Sequence, residues 1–300
     1  WNNVAPGNYT ITAVATDNAS AKTTSTIVTI TVNAYPEVSI TSPVSGSNFT
    51  APANITIAAK ASDSDGSITS VEFFNGENSL SVLTSAPWSF SWSDVPEGTY
   101  TITAAATDNN NAKTISAPVT ITVNQPPYVS IINPVNGSVF TAPATISISA
   151  DATDTDGLVS KVEFFNGTAK LGERTSEPWT YTWNNVSPGN YTITAVATDN
   201  ASAKNTSAAI TVRVNAYPEI SISSPLSGNS FTSPANITIA AQASDSDGTI
   251  DNVEFFNGNN SLSVITSAPW ETAWNNVSPG NYGIRAVATD NSGLKTESGI

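Results

Sequence analysis

The sequence of 300 residues contains no cysteine, no histidine and no methionine. Without histidine there is no imidazole general base, no Ser-His-Asp triad and no histidine-ligated metal, and without cysteine there are no thiol nucleophiles, zinc–thiolate sites or disulfides. Most common catalytic machinery is therefore excluded. The start, Trp1-Asn2-Asn3, has neither the basic nor the apolar segment of a signal peptide, and with the missing initiator methionine it predicts a fragment of a longer chain.

Charge is scarce and mostly negative. Charged residues make up 11% of the chain, whereas an average domain has about 25%. Lys and Arg number 10 and Asp and Glu 24, so the net charge is -14, which repels phosphate backbones and anionic lipid and excludes nucleic acid as a partner. No apolar run approaches the roughly 18 residues of a membrane span, so we expect no membrane insertion. A surface of Ser, Thr and Asn instead suits an extracellular protein, either secreted or on the cell surface.

The chain repeats itself with a period of 91 residues. The period is marked by tryptophans and prolines in similar surroundings: Trp1, Trp92, Trp183, Trp274, Pro36, Pro127 and Pro218. It predicts two whole domains, 36–126 and 127–217. We expect 218–300 to be a domain lacking its last strand, because it stops where the counterpart of 119–124 would begin, and 1–35 to be the C-terminal part of a truncated domain. The linkers are very short, so neighbouring domains of the polypeptide should be tightly coupled partners.

Within each repeat, hydrophobic residues alternate with a period of two, which is the signature of β-strands. No segment has a helical period. Seven strands are predicted in the first repeat, around 38–40, 55–57, 71–73, 80–82, 88–92, 100–104 and 119–123. Turn clusters such as SPVSGSN and DSDGS separate them, with the spacing of a β-sandwich.

The string PEVSITSPVSGSNFTAPANITIAAKASDSDGSITSVEFFNG at 36–76, continued by APWSFSWSDVPEGTYTITAAATDNNNAK at 86–113, resembles the bacterial Ig-like domains that occur in tandem in large secreted proteins. The resemblance covers every repeat. It implies an all-β fold of tandem Ig-like seven-strand antiparallel β-sandwiches. It also implies a role as a spacer, stalk or accessory module beside enzymes or adhesins, often ones that act on polysaccharides, and it does not imply catalysis.

A tyrosine recurs in the pattern G-x-Y, shortly after a proline, at the start of the sixth strand. The four positions are Tyr9, Tyr100, Tyr191 and Tyr282. In an Ig-like sandwich, a tyrosine-corner hydroxyl at this place donates a hydrogen bond to a backbone carbonyl at the bend. We therefore predict a structural role for each of them.

An acidic trio is the best candidate for a binding site, and it occurs once per repeat. Two aspartates lie in the loop after the second strand and one ends the sixth strand, at the same end of an Ig-like domain, near the preceding linker. The nine residues are Asp63, Asp65, Asp108, Asp154, Asp156, Asp199, Asp245, Asp247 and Asp290. Calcium takes oxygen ligands, so one hypothesis is a calcium ion shared across the junction. The alternative is that the aspartates only cap their own turns, with Gly66 at a positive φ.

Aromatic residues in the fifth strand are the second candidate. Trp88, Phe90 and Trp92 alternate on one face, and sugar-binding modules use such rows of flat rings. Core packing explains the same spacing. We expect Trp92 and its counterparts Trp183 and Trp274 to lie in the core, and Trp88, Trp179 and Trp270 to lie at its edge, partly exposed.

These patterns favour a non-catalytic repeat array that acts as a stalk or spacer in a larger secreted or cell-surface bacterial protein. The alternative is a set of carbohydrate-binding or adhesive accessory modules of a polysaccharide-degrading enzyme or adhesin, which would make polysaccharide a partner. We expect no enzyme activity, because paired carboxylates on short turns offer no cleft for a sugar ring. No cofactor is required, with calcium as the one candidate.

Overall fold

The computed structural model describes residues 1–300, and it consists of 29 β-strands without a helix. The strands of 1–35 are β1 (Gly7–Ile11), β2 (Val14–Thr16), β3 (Lys22–Thr24) and β4 (Val28–Val32). Those of 36–126, here called repeat one, are β5 (Glu37–Ser42), β6 (Asn48–Thr50), β7 (Ala53–Ser62), β8 (Ile68–Asn75), β9 (Asn78–Leu83), β10 (Ser89–Val95), β11 (Gly98–Asp108), β12 (Lys113–Ile115) and β13 (Val119–Asn124).

Repeat two, 127–217, contains β14 (Tyr128–Asn133), β15 (Ser138–Thr141), β16 (Ala144–Thr153), β17 (Val159–Asn166), β18 (Ala169–Arg174), β19 (Thr180–Val186), β20 (Gly189–Asp199), β21 (Lys204–Thr206) and β22 (Ile210–Asn215). Repeat three, 218–300, contains β23 (Glu219–Ser224), β24 (Ala235–Ser244), β25 (Ile250–Asn257), β26 (Asn260–Ile265), β27 (Glu271–Val277), β28 (Ile284–Asp290) and β29 (Lys295–Glu297). The predicted all-β fold is confirmed. No helix long and apolar enough to cross a membrane occurs.

The chain forms two compact units. The first contains Trp1–Pro126, Asp154–Gly157 and Ala201–Ala203, and the second contains Pro127–Thr153, Leu158–Asn200 and Lys204–Ile300. The domain limits predicted from the 91-residue period stay a prediction.

Repeat one is built from two sheets. One has the strand order β10-β7-β5, and the other has the order β6-β13-β11-β8-β9, with β12 also paired to β11. In β7, Ala53, Ile55 and Ile57 are buried while the residues between them are exposed. This alternation places one face of each strand in the core, where Phe73 and Ile102 are 0% exposed.

All seven predicted strands are present in repeats one and two, but each repeat has two more. β6 pairs in parallel with β13, and β15 pairs in parallel with β22. The prediction of a wholly antiparallel sandwich is therefore wrong for these two short strands. β12 and β21 turn back antiparallel onto β11 and β20. These additional strands have only three or four residues, too few for a period of two to be recognised in the sequence.

Repeat three departs from this pattern at one edge. Its larger sheet has the order β26-β25-β28-β29. β28 begins at Ile284, whereas β11 and β20 begin at Gly98 and Gly189. β28 begins later because it lacks a pairing partner there. In repeat one the start of β11 is hydrogen-bonded to β13, and 218–300 contains no strand that corresponds to β13.

Candidate functional site

The three predicted aspartates of repeat one lie at one end of its sandwich. Asp63 and Asp65 belong to the loop between β7 and β8, and Asp108 is the last residue of β11. The pairing of β8 with β11 extends to Ile68 opposite Asp108, so the loop and the end of β11 are neighbours. The predicted proximity to the preceding linker is also observed: Asp108 contacts Asn33, and Asp65 contacts Ala34.

Asp108 is 0% exposed and uses both carboxylate oxygens. Oδ1 accepts hydrogen bonds from the backbone N–H groups of Asn110 and Ala112, each at 2.8 Å. Oδ2 accepts one from Asn33 Nδ2 at 2.6 Å. Burial acts to raise the pKa of Asp108, but the hydrogen bonds from Asn33, Ala112 and Asn110 outweigh it and hold the pKa below its usual range. Asp108 therefore caps its turn, as one hypothesis had it, and also binds the linker.

Two consecutive linker residues are held by repeat one. Asn33 donates to Asp108 through Nδ2, and its Oδ1 accepts a hydrogen bond from Asn110 Nδ2. The backbone N–H of Ala34 donates to the two carboxylate oxygens of Asp65 at 3.0 and 3.2 Å. We call Asn33, Ala34, Asp65 and Asp108 the first latch.

The same arrangement recurs inside the second unit. Asn215 Nδ2 donates to Asp290 Oδ2 at 2.6 Å, and the backbone N–H of Ala216 donates to Asp247 Oδ1 at 2.9 Å. Asp290 Oδ1 accepts from the N–H groups two and four residues further on, each at 2.8 Å. Asn215 and Asp290 are each 1% exposed. We call Asn215, Ala216, Asp247 and Asp290 the second latch.

The aspartates of repeat two have corresponding positions in the chain. Asp154 directly follows β16, and Asp199 is the last residue of β20 and is buried. Within the first unit, the backbone N–H of Gln125 donates to Asp156 Oδ2 at 2.9 Å. This contact corresponds to the one between Ala34 and Asp65.

Asp63 and Asp245 differ from the aspartates of the two latches. Both carboxylate oxygens of Asp63, and Oδ2 of Asp245, are buried without a hydrogen-bond partner. Burial raises the pKa of Asp245; the backbone N–H of Asp247 acts against this, and the nearby carboxylates of Asp247 and Asp290 add to it. Asp63 thus has a buried carboxylate without a hydrogen-bond donor, whereas Asp245 has one donor, the backbone N–H of Asp247, on Oδ1 only.

Gly66 is needed here for space. Its φ is not positive, so the conformation expected from the DSDG turn is wrong. A Cβ at Gly66 would lie 2.1 Å from Asn109 Oδ1 and 2.6 Å from Asp63 Oδ2, closer than any real Cβ contact. The buried carboxylate of Asp63 therefore depends on a glycine beside it.

No group of three or more acidic side chains in the structure is arranged as the ligands of one metal ion. The oxygens of Asp65, Asp108, Asp247 and Asp290 accept hydrogen bonds from N–H groups instead. Calcium binding by the nine aspartates stays a prediction. Turn capping is observed for Asp108 and Asp290.

The aromatic row packs against the core but is less buried than predicted. Trp92, Trp183 and Trp274, expected in the core, are only partly buried, whereas Trp179, expected at the edge, is 7% exposed. Each of the first three packs edge-on against the tyrosine of the G-x-Y pattern, with ring centroids 4.9 to 5.1 Å apart, and these tyrosines are themselves not fully buried. Trp88 and Trp270 are partly buried, as expected.

The four tyrosine corners are confirmed. The hydroxyl groups donate to backbone carbonyls four residues upstream at 2.8 to 3.0 Å: Tyr9 to Ala5, Tyr100 to Pro96, Tyr191 to Ser187 and Tyr282 to Ser278. Each tyrosine is therefore used for packing and for one backbone hydrogen bond.

Sequence reasoning missed the linker asparagines. Asn33, Asn124 and Asn215 recur with the 91-residue period, just before each repeat, and that recurrence was the available signal. It does not by itself indicate a hydrogen bond to an aspartate 75 residues further along the chain.

Several solved structures resemble the chain. The fibronectin(III)-like modules of Clostridium thermocellum CbhA are 29% identical over 59% of this chain and 93% of theirs, with a TM-score of 0.37. The extracellular domains 3–5 of Drosophila OTK are 14% identical over 89% of this chain and 97% of theirs, with a TM-score of 0.38. Three N-terminal domains of the bacteriophage RB49 outer capsid protein Hoc are 9% identical over 89% and 95%, with a TM-score of 0.37.

At these TM-scores the solved structures carry no inference about activity or ligands. No curated protein sequence matches the chain. The model of the bacterial Ig domain family matches three times, at 36–104, 127–195 and 218–295, which is well over half of the chain. The three starts are the prolines that define the 91-residue period. The chain therefore belongs to the bacterial Ig domain family, as a tandem array of its repeats.

Proposed function

We propose that the chain is a non-catalytic spacer or stalk in a larger secreted or cell-surface bacterial protein, where it holds neighbouring modules of the same polypeptide at set distances and angles. The family match supports a tandem repeat array of a fold that is generally non-catalytic. Its partners in this role are the adjoining domains.

The observation that carries the proposal is the recurrence of the latch. In both latches a linker asparagine donates to a buried aspartate at 2.6 Å, and the next residue donates its backbone N–H to a second aspartate. Hydrogen bonds to an ionised acceptor are shorter and stronger than neutral ones. A linker of a few residues with two consecutive residues held in this way has little freedom to bend, which is what a spacer requires.

The burial of the aromatic row weighs against the alternative, a carbohydrate-binding or adhesive accessory module. Sugar platforms need exposed flat rings, whereas the repeated tryptophans of the three repeats are buried or pack against the cores. Affinity electrophoresis of the full chain through gels containing soluble cellulose derivatives, xylan or β-glucan separates the two roles. We expect unchanged mobility in every gel, and retardation by one polysaccharide would replace the spacer with the binding module.

Calcium binding at the junctions is a second proposed role, favoured by one observation. Asp63 has both carboxylate oxygens buried without a donor, beside the oxygen acceptor Asn109 Oδ1, and a cation would compensate for that dehydrated charge. Bound calcium would add to the stiffness of the latch.

A further inference from the structure

The two latches differ in the donor that orients the asparagine. In the first latch, Oδ1 of Asn33 accepts from the side-chain amide of Asn110. The residue at the position of Asn110 in repeat three is Ser292, whose side chain is too short to be an equivalent donor. In the second latch, Oδ1 of Asn215 accepts instead from Arg213 Nη2 at 2.7 Å.

Besides Asn215, Arg213 contacts Asp247 of the second latch and the neighbouring Ser292. Its Nη1 donates to Ser292 Oγ at 3.0 Å, and Nη2 lies 3.4 Å from both the backbone carbonyl and Oδ2 of Asp247. The side chains of Arg213 and Asp247 are 29% and 13% exposed, so this ion pair is partly shielded from solvent. The positions that correspond to Arg213 by the 91-residue period, Thr31 and Thr122, carry no charge.

The orientation of the asparagine amide decides whether the latch can form. Asn215 is buried, and its Nδ2 can face Asp290 Oδ2 only while its Oδ1 faces a donor on the other side. A buried carbonyl without a donor is costly, and a rotated amide would present its oxygen to the carboxylate of Asp290. The guanidinium of Arg213 gives Asn215 Oδ1 its donor, and it thereby also keeps Nδ2 turned towards Asp290.

We propose that Arg213 is the positioning residue of the second latch. It takes the part that Asn110 plays in the first latch, and its charge also holds Asp247, the acceptor for Ala216. Between the first latch and the second, Thr31 is replaced by Arg213 and Asn110 by Ser292. The hydrogen bond to the asparagine Oδ1 is kept, but its donor changes from the Asn110 amide to the Arg213 guanidinium. This inference rests on the proposed function, because it assumes that the junction is held at a fixed angle.

The test is a double electron–electron resonance measurement on the full chain, with nitroxides on Cys introduced at the exposed strand residues Thr182 and Thr238. The chain has no native cysteine, so only these two sites are labelled. We expect a single narrow distance distribution in the otherwise unchanged chain and a broad one in Arg213→Thr. Threonine occupies the corresponding strand positions, so the variant should fold.

The double variant Arg213→Thr with Ser292→Asn recreates the donor of the first latch and should make the distribution narrow again. Arg174→Thr, which removes an exposed arginine of repeat two outside the latch, should leave it unchanged. A narrow distribution in Arg213→Thr, or a broad one that Ser292→Asn does not restore, overturns the role of Arg213 and leaves the proposed function standing. A broad distribution in the otherwise unchanged chain overturns both.

Discussion

Asn33 and Asp108, 75 residues apart in the chain, are joined by a 2.6 Å hydrogen bond from Nδ2 to Oδ2. Asp108 is buried, and its other oxygen is occupied by two backbone N–H groups. One carboxylate thus closes a turn of repeat one and holds the linker before it. Because Asn215 and Asp290 repeat this relationship with the same length and separation, we regard it as a property of the repeat.

Replacing Tyr100 with Phe should destabilise repeat one by about 1 kcal/mol, the usual net contribution of a hydrogen bond. The variant loses the hydroxyl bond to the carbonyl of Pro96 and keeps the ring packing against Trp92. Denaturant unfolding of the full chain, followed by tryptophan fluorescence, measures the change. Tyr128→Phe is the matched control, because Tyr128 is mostly exposed. Equal effects of the two substitutions would show that the corner hydroxyl contributes nothing.

Replacing Phe73 with Ala should cost about 3 to 5 kcal/mol, because a fully buried ring leaves a cavity. Trp92→Ala should cost less, since Trp92 is only partly buried and water can occupy part of the vacated space. Comparing the free energies of unfolding of the two variants checks the order. A larger loss of unfolding free energy in Trp92→Ala would contradict this order and show that the Trp92–Tyr100 pair stabilises the sandwich more than Phe73 does.

The strands and the core could largely be predicted from the sequence. In β7 the alternation of Ala53, Ile55 and Ile57 with polar residues marks both the strand and its buried face. The short strands β6 and β12 could not be predicted, because three residues show no period and their pairing depends on β13 and β11. The partial exposure of Trp92 could not be predicted either, since alternation gives the face of a strand but not how completely that face is covered.

At the candidate site, the aspartates and their position beside the linker were predictable, but their bonding was not. Asp65 stands in a recognisable loop and Asp108 at a recognisable strand end, whereas Asn33 is one of many asparagines in the chain. A hydrogen bond between residues 75 apart depends on side-chain orientation, which residue spacing does not contain. The same holds for Arg213, which in sequence is one arginine in a strand.

If calcium binds at the first latch, Asp63 should be its essential ligand, because its carboxylate has no other partner. Millimolar calcium should raise the melting temperature of the full chain through linkage, with a Kd of about 10⁻⁴ to 10⁻³ M. Isothermal calorimetry should detect fewer sites in Asp63→Asn than in the unchanged chain, with Asp251→Asn, an exposed strand aspartate, as control. A melting temperature indifferent to calcium would leave the aspartates as turn caps and linker acceptors.

Asp245→Asn should stabilise repeat three at neutral pH in the presence of a chelator. Burial raises the pKa of Asp245, so the folded state favours the protonated form. Stability therefore falls as the pH rises from the ordinary aspartate value of about 3.9 through the raised folded-state pKa. The melting temperature of the variant should exceed that of the unchanged chain at about pH 7 and converge with it at about pH 3. A variant less stable at neutral pH would contradict this.

Asp108→Asn should have the opposite effect. The pKa of Asp108 is lowered in the folded state, so its contribution is present above the ordinary aspartate pKa and is lost as the pH falls through the folded-state value. The melting temperature of repeat one should fall at neutral pH, and the difference from the unchanged chain should shrink on acidification. Differential scanning calorimetry over the same pH range measures this difference in melting temperature. A difference that grows on acidification would contradict a lowered pKa of Asp108 in the folded state.

The central claim, that the hydrogen bond between asparagine and aspartate holds the linker, is tested most directly by reversing its donor. Nitroxides at Thr10→Cys and Thr56→Cys report on the first latch in the full chain. Asn33→Asp changes the donor into a carboxylate facing Asp108, and the distance distribution should broaden; adding Asp108→Asn restores a donor and should narrow it. A distribution equally narrow in all three proteins would contradict the account.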